Sequence, residues 1–133
     1  GTNRSGAILE PMSKIRPSDL DDRLSQDDVF VLDVRPAESY RERHIDGSYN
    51  APVYHDLRQG DTGALDDHLG QVPSDAEVVT VCKAGVVARK ATDHLRKQDY
   101  DATTLSGGFK GWRHYEDETL LYRVLSLVRR VTG

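Results

Sequence analysis

The sequence holds one cysteine, Cys82, in 133 residues. A single cysteine excludes an intramolecular disulfide and a metal site built from cysteines alone, and it points to a reducing, cytoplasmic setting. Long apolar runs are lacking, so nothing resembles a transmembrane span or a signal peptide, and a membrane is not an expected partner. No segment repeats, and none is of low complexity. Excess positive charge is lacking too. The formal net charge is −4, which argues against nucleic acid as the main partner. His55, His68 and His114 show no ligand spacing, so no metal and no other cofactor is expected. Acidic residues are mostly Asp and basic ones mostly Arg, but the net charge is too small to argue for a salt-adapted source.

What is present is a short β-branched run that ends in the cysteine. Val78 to Val81 reads as a buried parallel strand. After Cys82 come Lys83-Ala84-Gly85-Val86, and then Val87, Ala91, His94 and Leu95 recur at helical spacing. Cys82 is thereby placed at the carboxyl end of a strand, just ahead of a helix amino terminus. In open α/β sheets that edge is where ligands bind. Unpaired N–H groups of the turn and of the first helical turn are expected to point at the sulfur and to favour its thiolate. The plainer alternative is a lone cysteine acting as a small buried hydrophobe.

Residues 1–11 have no periodicity and are expected to be a leader or a disordered tail, with Met12 as the native start. Lys14-Ile15-Arg16 is a candidate edge strand. Pro17-Ser18-Asp19-Leu20 opens a helix, with Ser18 as its cap and Leu20 and Leu24 facing inward. Val29 to Leu32 is a second buried strand. Pro36 suits the first position of a helix over Ala37 to Arg43. Tyr49 to Val53 reads as a short strand, and Tyr54 to Gly70 carries only weak helical patterns. Ala102 to Leu105 is a last strand, and Ser106-Gly107-Gly108-Phe109 a tight loop. Strands alternating with helices imply a parallel sheet covered on both faces. Residues 116–133 form a separate unit, in which Leu120, Leu121, Val124, Leu125, Leu127, Val128 and Val131 share one face of an amphipathic helix. That stripe is expected to fold back on the domain's own helices. The rival is a docking surface for a second subunit, another protein or a membrane.

Three segments together resemble a single rhodanese domain. They are Leu32-Asp33-Val34-Arg35 through Glu38 with His44-Ile45-Asp46-Gly47-Ser48-Tyr49-Asn50-Ala51-Pro52, the strand ending in Cys82 with Gly85 after it, and Leu105-Ser106-Gly107-Gly108-Phe109-Lys110-Gly111-Trp112. The resemblance covers about Lys14 to Trp112, within a domain placed at 12–115. It implies an open, mainly parallel five-stranded sheet flanked by helices. It also implies a catalytic Cys82 that carries sulfane sulfur as a persulfide. The implied partners are a small-molecule sulfur donor and a thiol or cyanide acceptor, with a protein acceptor also open. Lys83, Ala84, Gly85, Val86 and Val87 become the substrate-binding loop.

Departures from the family pattern qualify this. Val87 stands where the loop often has Arg, Ser or Thr, Ala84 where a serine is common, and Arg43 where a Gly usually precedes the His-Ile pair. The loop is therefore expected to be apolar at its mouth, with Lys83 its main cation and thiosulfate a poorer donor than a less charged persulfide. Lys83 is either an attractor of anionic donors or a solvated loop lysine. Arg35 is either a substrate ligand or a structural partner of Asp33 or of a loop carbonyl. His44 is read as a packing or hydrogen-bonding residue and not as a general base. Two other readings remain. A phosphatase or arsenate reductase of related fold would need an Arg where Ala88 stands, and Arg89 comes one position late. A non-catalytic binding or regulatory module would keep the fold without turnover.

Overall fold

Strands that read as continuous apolar runs need cover on both faces. The structure, a computed structural model that describes residues 14–132, supplies it. Residues 1–11 and Met12, expected as leader and start, lie outside the described residues. The elements in order are β1 (Lys14–Ile15), α1 (Pro17–Ser25), β2 (Val29–Asp33), α2 (Ala37–Glu42), β3 (Tyr49–Asn50), α3 (Tyr54–Arg58) and α4 (Gly63–Asp66). A 3-10 turn (Leu69–Gln71), β4 (Glu77–Val81), α5 (Ala88–Lys97), β5 (Asp101–Leu105) and α6 (Gly108–Thr132) follow.

The five strands form one sheet in the order β1-β5-β4-β2-β3, and every pairing is parallel. Side chains alternate between its faces. Val78 and Cys82 enter a core with Leu32, Val34, Leu57, Leu65, Ala88, Ala91 and Leu95. Val79 and Val81 enter a second core with Ile15, Leu20, Val31, Leu105, Phe109 and Trp112. Thus α3, α4 and α5 cover one face, and α1 with the first turns of α6 covers the other. Neighbours β2 and β4 run side by side, but the chain leaves β2 towards β3 and leaves β4 towards β5. The two following loops therefore part, and the sheet has its switch point there.

Several local expectations are corrected. Ser18 does not cap α1: Arg16 holds the N-cap position without a side-chain bond, and Pro17 takes the first helical position, where its missing N–H has no partner to lose. Pro36 is likewise the N-cap of α2 and not its first residue. Strand β3 stops at Asn50, because the Ala51 N–H bonds the Asp33 carbonyl and the Val53 N–H turns back to the Ala51 carbonyl, and Pro52 has no donor to continue the ladder. His94, expected to face the core, instead bonds Asp66 at 2.7 Å and ties α5 to α4. That bond, followed by one from Gln98, holds the Asp66 carboxyl below its ordinary range.

The largest correction concerns the end of the chain. The expected C-terminal amphipathic helix is present, but as the outer part of one longer helix. Helix α6 runs unbroken for 25 residues from Gly108, since nothing after Gly111 interrupts it. Its first turns bury Phe109 and Trp112, but the apolar stripe beyond them does not fold back. Leu120 is 61% exposed and Val131 86%.

The last contacts of α6 with the body are the Arg43 ion pairs with Glu116 and Asp117 and, just before them, Tyr115, whose hydroxyl donates to Asp21 on α1 at 2.7 Å. That carboxylate, with partial burial, raises the Tyr115 pKa above its ordinary value near 10. A raised folded-state pKa means that the contribution is complete below the unfolded value and lost as pH climbs through the folded one. Tyr115→Phe is expected to cost about 1 kcal/mol at neutral pH, read by urea unfolding. The difference from the parent should shrink above about pH 10; a gap that persists there would assign the effect to packing.

Candidate active site

Cys82 follows the last residue of β4, at the carboxyl edge of the sheet and beside the switch point. The residue is 1% exposed. Its Sγ accepts the backbone N–H of Gly85 at 3.1 Å and that of Ala88 at 3.2 Å. The first comes from the turn and the second from the first residue of α5, so the helix amino terminus faces the sulfur. Such a setting stabilises negative charge on sulfur, or on a second sulfur joined to it.

The turn needs Gly85. Its φ is +88°, and a Cβ there would meet Leu105 O and Gly107 N at 3.2 Å. Gly108, at φ +60°, approaches the loop from the other side: a Cβ on it would lie 2.6 Å from Cys82 O, Ala84 N and Lys83 C. This closeness lets α6 bind the loop. Phe109 N–H donates to Cys82 O at 2.8 Å, and Lys110 N–H to Lys83 O at 3.0 Å. Two N–H groups that a helix start leaves without partners are thereby satisfied by the loop.

From below, α5 is anchored by threonines that the sequence reading did not single out. Thr80 Oγ1 donates to Ala88 O at 3.2 Å and pairs with Thr92 Oγ1 at 2.8 Å, which in turn meets Thr104 Oγ1 at 2.6 Å. All three are buried. The chain links β4, α5 and β5 and sets the height of Ala88 against the sulfur. A threonine inside an apolar strand, with a second on the helix that follows, was the available signal.

Of the residues expected to bind substrate, the loop positions Lys83, Ala84, Gly85 and Val86 stand at or near the surface, with Val86 68% exposed. Val87 does not. Its side chain is buried in the core, because the turn into α5 points it inward, so the apolar mouth is Val86 alone. Lys83 Nζ lies 5.4 Å from the centre of the Tyr54 ring, a cation–π distance.

Arg35 is brought to the same edge, but its guanidinium is taken up by the protein. Its Nε and Nη2 donate to the Asp33 carboxylate at 2.8–3.1 Å, and Nη2 also donates to Arg43 O. Its Cζ sits 3.9 Å above the Phe109 ring. The pair is buried, and it braces α6 and the turn after α2 against β2. The structural reading of Arg35 accounts for these contacts. His44 is exposed, stacks on Tyr40 at 3.9 Å and bonds Tyr40 O at 2.7 Å.

A cavity of about 220 Å³ abuts the loop at Lys83, and Arg35, Arg43, Phe109, Lys110 and Arg113 help line it. The sequence reading had Lys83 as the main cation. Lys110 and Arg113 join it because α6 starts on the loop, and three residues along a helix return to the same face. Among the described residues, no group of three or more His, Cys, Asp or Glu side chains is placed to hold a metal ion.

An open parallel α/β sheet that presents one cysteine in a cradle of backbone N–H groups at its switch point defines a class of cysteine-centred α/β domains. Within it, this chain belongs to the rhodanese family: the rhodanese-like domain matches residues 16–115. The thiosulfate sulfurtransferase GlpE of Shewanella oneidensis is 31% identical over 85 residues, covering 63% of this chain and 75% of that protein. GlpE of Pseudomonas fluorescens is also 31% identical, over 98 residues, 72% of this chain and 82% of its own length. An HTH-type transcriptional regulator of Mycobacterium tuberculosis is 29% identical over 105 residues, and the match spans 42% of that longer protein. Among solved structures, a rhodanese-like domain protein from Staphylococcus aureus superposes with a TM-score of 0.63 at 25% identity, covering 74% of this chain and 89% of that one.

Proposed function

We propose that this chain is a sulfurtransferase that works through a persulfide on Cys82. The observation that carries the reading is the placement of Sγ under two backbone N–H donors at the sheet edge. Relatives named thiosulfate sulfurtransferase, at about 30% identity, support it. With thiosulfate as donor, the Cys82 thiolate attacks the outer sulfur. The S–S bond of thiosulfate breaks, and sulfite leaves with the bonding pair. The new terminal sulfur bears the negative charge, which the Gly85 and Ala88 N–H groups and the other loop amides stabilise. A thiolate or cyanide then attacks that sulfur and restores the Cys82 thiolate, as in thiol–disulfide exchange. A covalent intermediate implies ping-pong kinetics.

Intact mass spectrometry after incubation with thiosulfate tests this. A gain of one sulfur atom, removed by cyanide, is expected. No gain from thiosulfate or from a small persulfide would overturn the reading in favour of a binding or regulatory module, the use suggested by the regulator that carries a similar segment.

The cavity beside the loop changes the expectation for the donor. Lys83, Lys110 and Arg113 gather on one side of the loop, so an anionic donor meets three cations where the sequence offered one. Replacing all three with Ala is expected to raise the KM for thiosulfate roughly tenfold, with kcat within about twofold. The parent's KM should also rise with salt. A KM indifferent to both changes would remove these side chains from donor binding.

A further inference from the structure

The exposed half of α6 is not needed for the loop chemistry, and no helix of the described chain covers it. We infer that it is a self-complementary interface, occupied by the same helix of a second copy of this chain running antiparallel.

Successive helical residues turn by about 100°. On that wheel Leu120, Val124, Leu127 and Val131 form one seam, and the remaining stripe residues form a second beside it. The steps of three and four residues are those of helices that pack along their length. Residues 116–132 span about 25 Å, long enough for several such layers.

Charge selects the occupant and its direction. Glu116, Asp117 and Glu118 stand at the start of the stripe, Arg129 and Arg130 stand at its end, and no acidic residue lies between 119 and 132. Glu116 and Arg130 fall on one flank of the stripe, Glu118 and Arg129 on the other. In an antiparallel pair related by a two-fold axis, each flank meets the same flank of the other copy. Glu116 then comes opposite Arg130 of the second copy, and Glu118 opposite Arg129 of the second copy. The same register sets Leu120 against the far copy's Leu127. A parallel pair would set acid against acid and arginine against arginine at both ends, whereas the antiparallel register leaves only Arg123 facing its counterpart at the two-fold axis.

The base of the helix is shaped to receive the other end. A cavity of about 360 Å³ lies in the angle between α6 and the body, lined by Trp112 and Leu120 together with Asp21, Glu116 and Asp117. Its lining is mixed: the three carboxylates are accompanied by Arg43 and Arg123, with Arg43 paired to Glu116 at 3.1 Å, and the arriving segment carries Val128 and Val131 for the apolar part. A lipid surface fits less well. Asp117 falls on the centre line of the stripe, so a helix lying flat would press a carboxylate towards the acyl chains.

Sedimentation equilibrium of the full chain at micromolar concentration tests the inference. A dimer mass is expected, and Val124→Glu should weaken association at least about 100-fold while leaving the far-UV circular dichroism unchanged. Arg129→Glu should weaken it about tenfold, and adding Glu118→Arg should restore it, a rescue that general damage to the helix would not show. A parent chain that stays monomeric at 100 µM overturns the inference. So does a charge swap without rescue, or a monomer that instead sediments with phosphatidylglycerol vesicles.

Discussion

Cys82→Ser is expected to fold as the parent does and to transfer no sulfur. Serine fills nearly the same space, and its oxygen accepts the N–H groups of Gly85 and Ala88 that now meet Sγ. The thermal midpoint should therefore move little, by the equivalent of about 1 kcal/mol. Turnover is another matter. An alcohol does not ionise near neutral pH and forms no persulfide, and removing a covalent nucleophile costs at least ~10⁴-fold in kcat. Thiocyanate formation from thiosulfate and cyanide measures it. A serine variant retaining a tenth of parental turnover would show that another group carries the sulfur. A loss of activity accompanied by unfolding would leave the role of Cys82 to alkylation. In the folded parent, alkylation of Cys82 by iodoacetamide should abolish transfer in step with the modified fraction.

Gly108→Ala is expected to be the most damaging small substitution in the chain. Two costs combine. The φ of +60° disfavours any Cβ by about 1 kcal/mol. The Cβ would also lie 2.6 Å from three backbone atoms of the cysteine loop, none of which can step aside as the end of a side chain can. Loop and helix must separate, and the bonds from Phe109 N–H and Lys110 N–H lengthen or break. Together the loss is about 3 kcal/mol or more, read as a shift in urea midpoint, with slowed transfer in whatever fraction still folds. Gly107→Ala is the control. Its φ of +76° is similarly strained, but the Cβ there meets Gly111 Cα at 3.4 Å and Gly111 N at 3.9 Å, ordinary contacts. Equal effects at the two positions would mean that backbone strain alone, and not the closeness of loop and helix, makes Gly108 necessary.

Much of this architecture was legible as pattern. Val78 to Val81 and Val29 to Leu32 announced strands covered on both faces, and the sheet places both at its centre. The cysteine at the end of one of them marked the edge where the loop lies. What periodicity does not report is what covers a face. The stripe on α6 reads the same whether it packs on its own domain or on another molecule, and the expectation of folding back failed for that reason. Loop residues have no period at all. Val86 and Val87 look alike in sequence, and only the path of the turn sends one to solvent and the other to the core. Arg113 and Lys110 lie far along the chain from Lys83, so nothing local announces that they share a cavity with it.

The bond from the Phe109 N–H to the Cys82 carbonyl also has a consequence for synthesis. It closes a long loop of chain, and strand β1 likewise waits for β5, its neighbour among the described strands. Helix α5 and its strand can pair as soon as they leave the ribosome, but the cradle around the sulfur is finished only after Gly108 has emerged and docked. A nascent chain halted before that residue carries the cysteine and its turn without the helix that braces them. The setting of Cys82 is therefore completed late in folding, when much of the hydrophobic core is already in place.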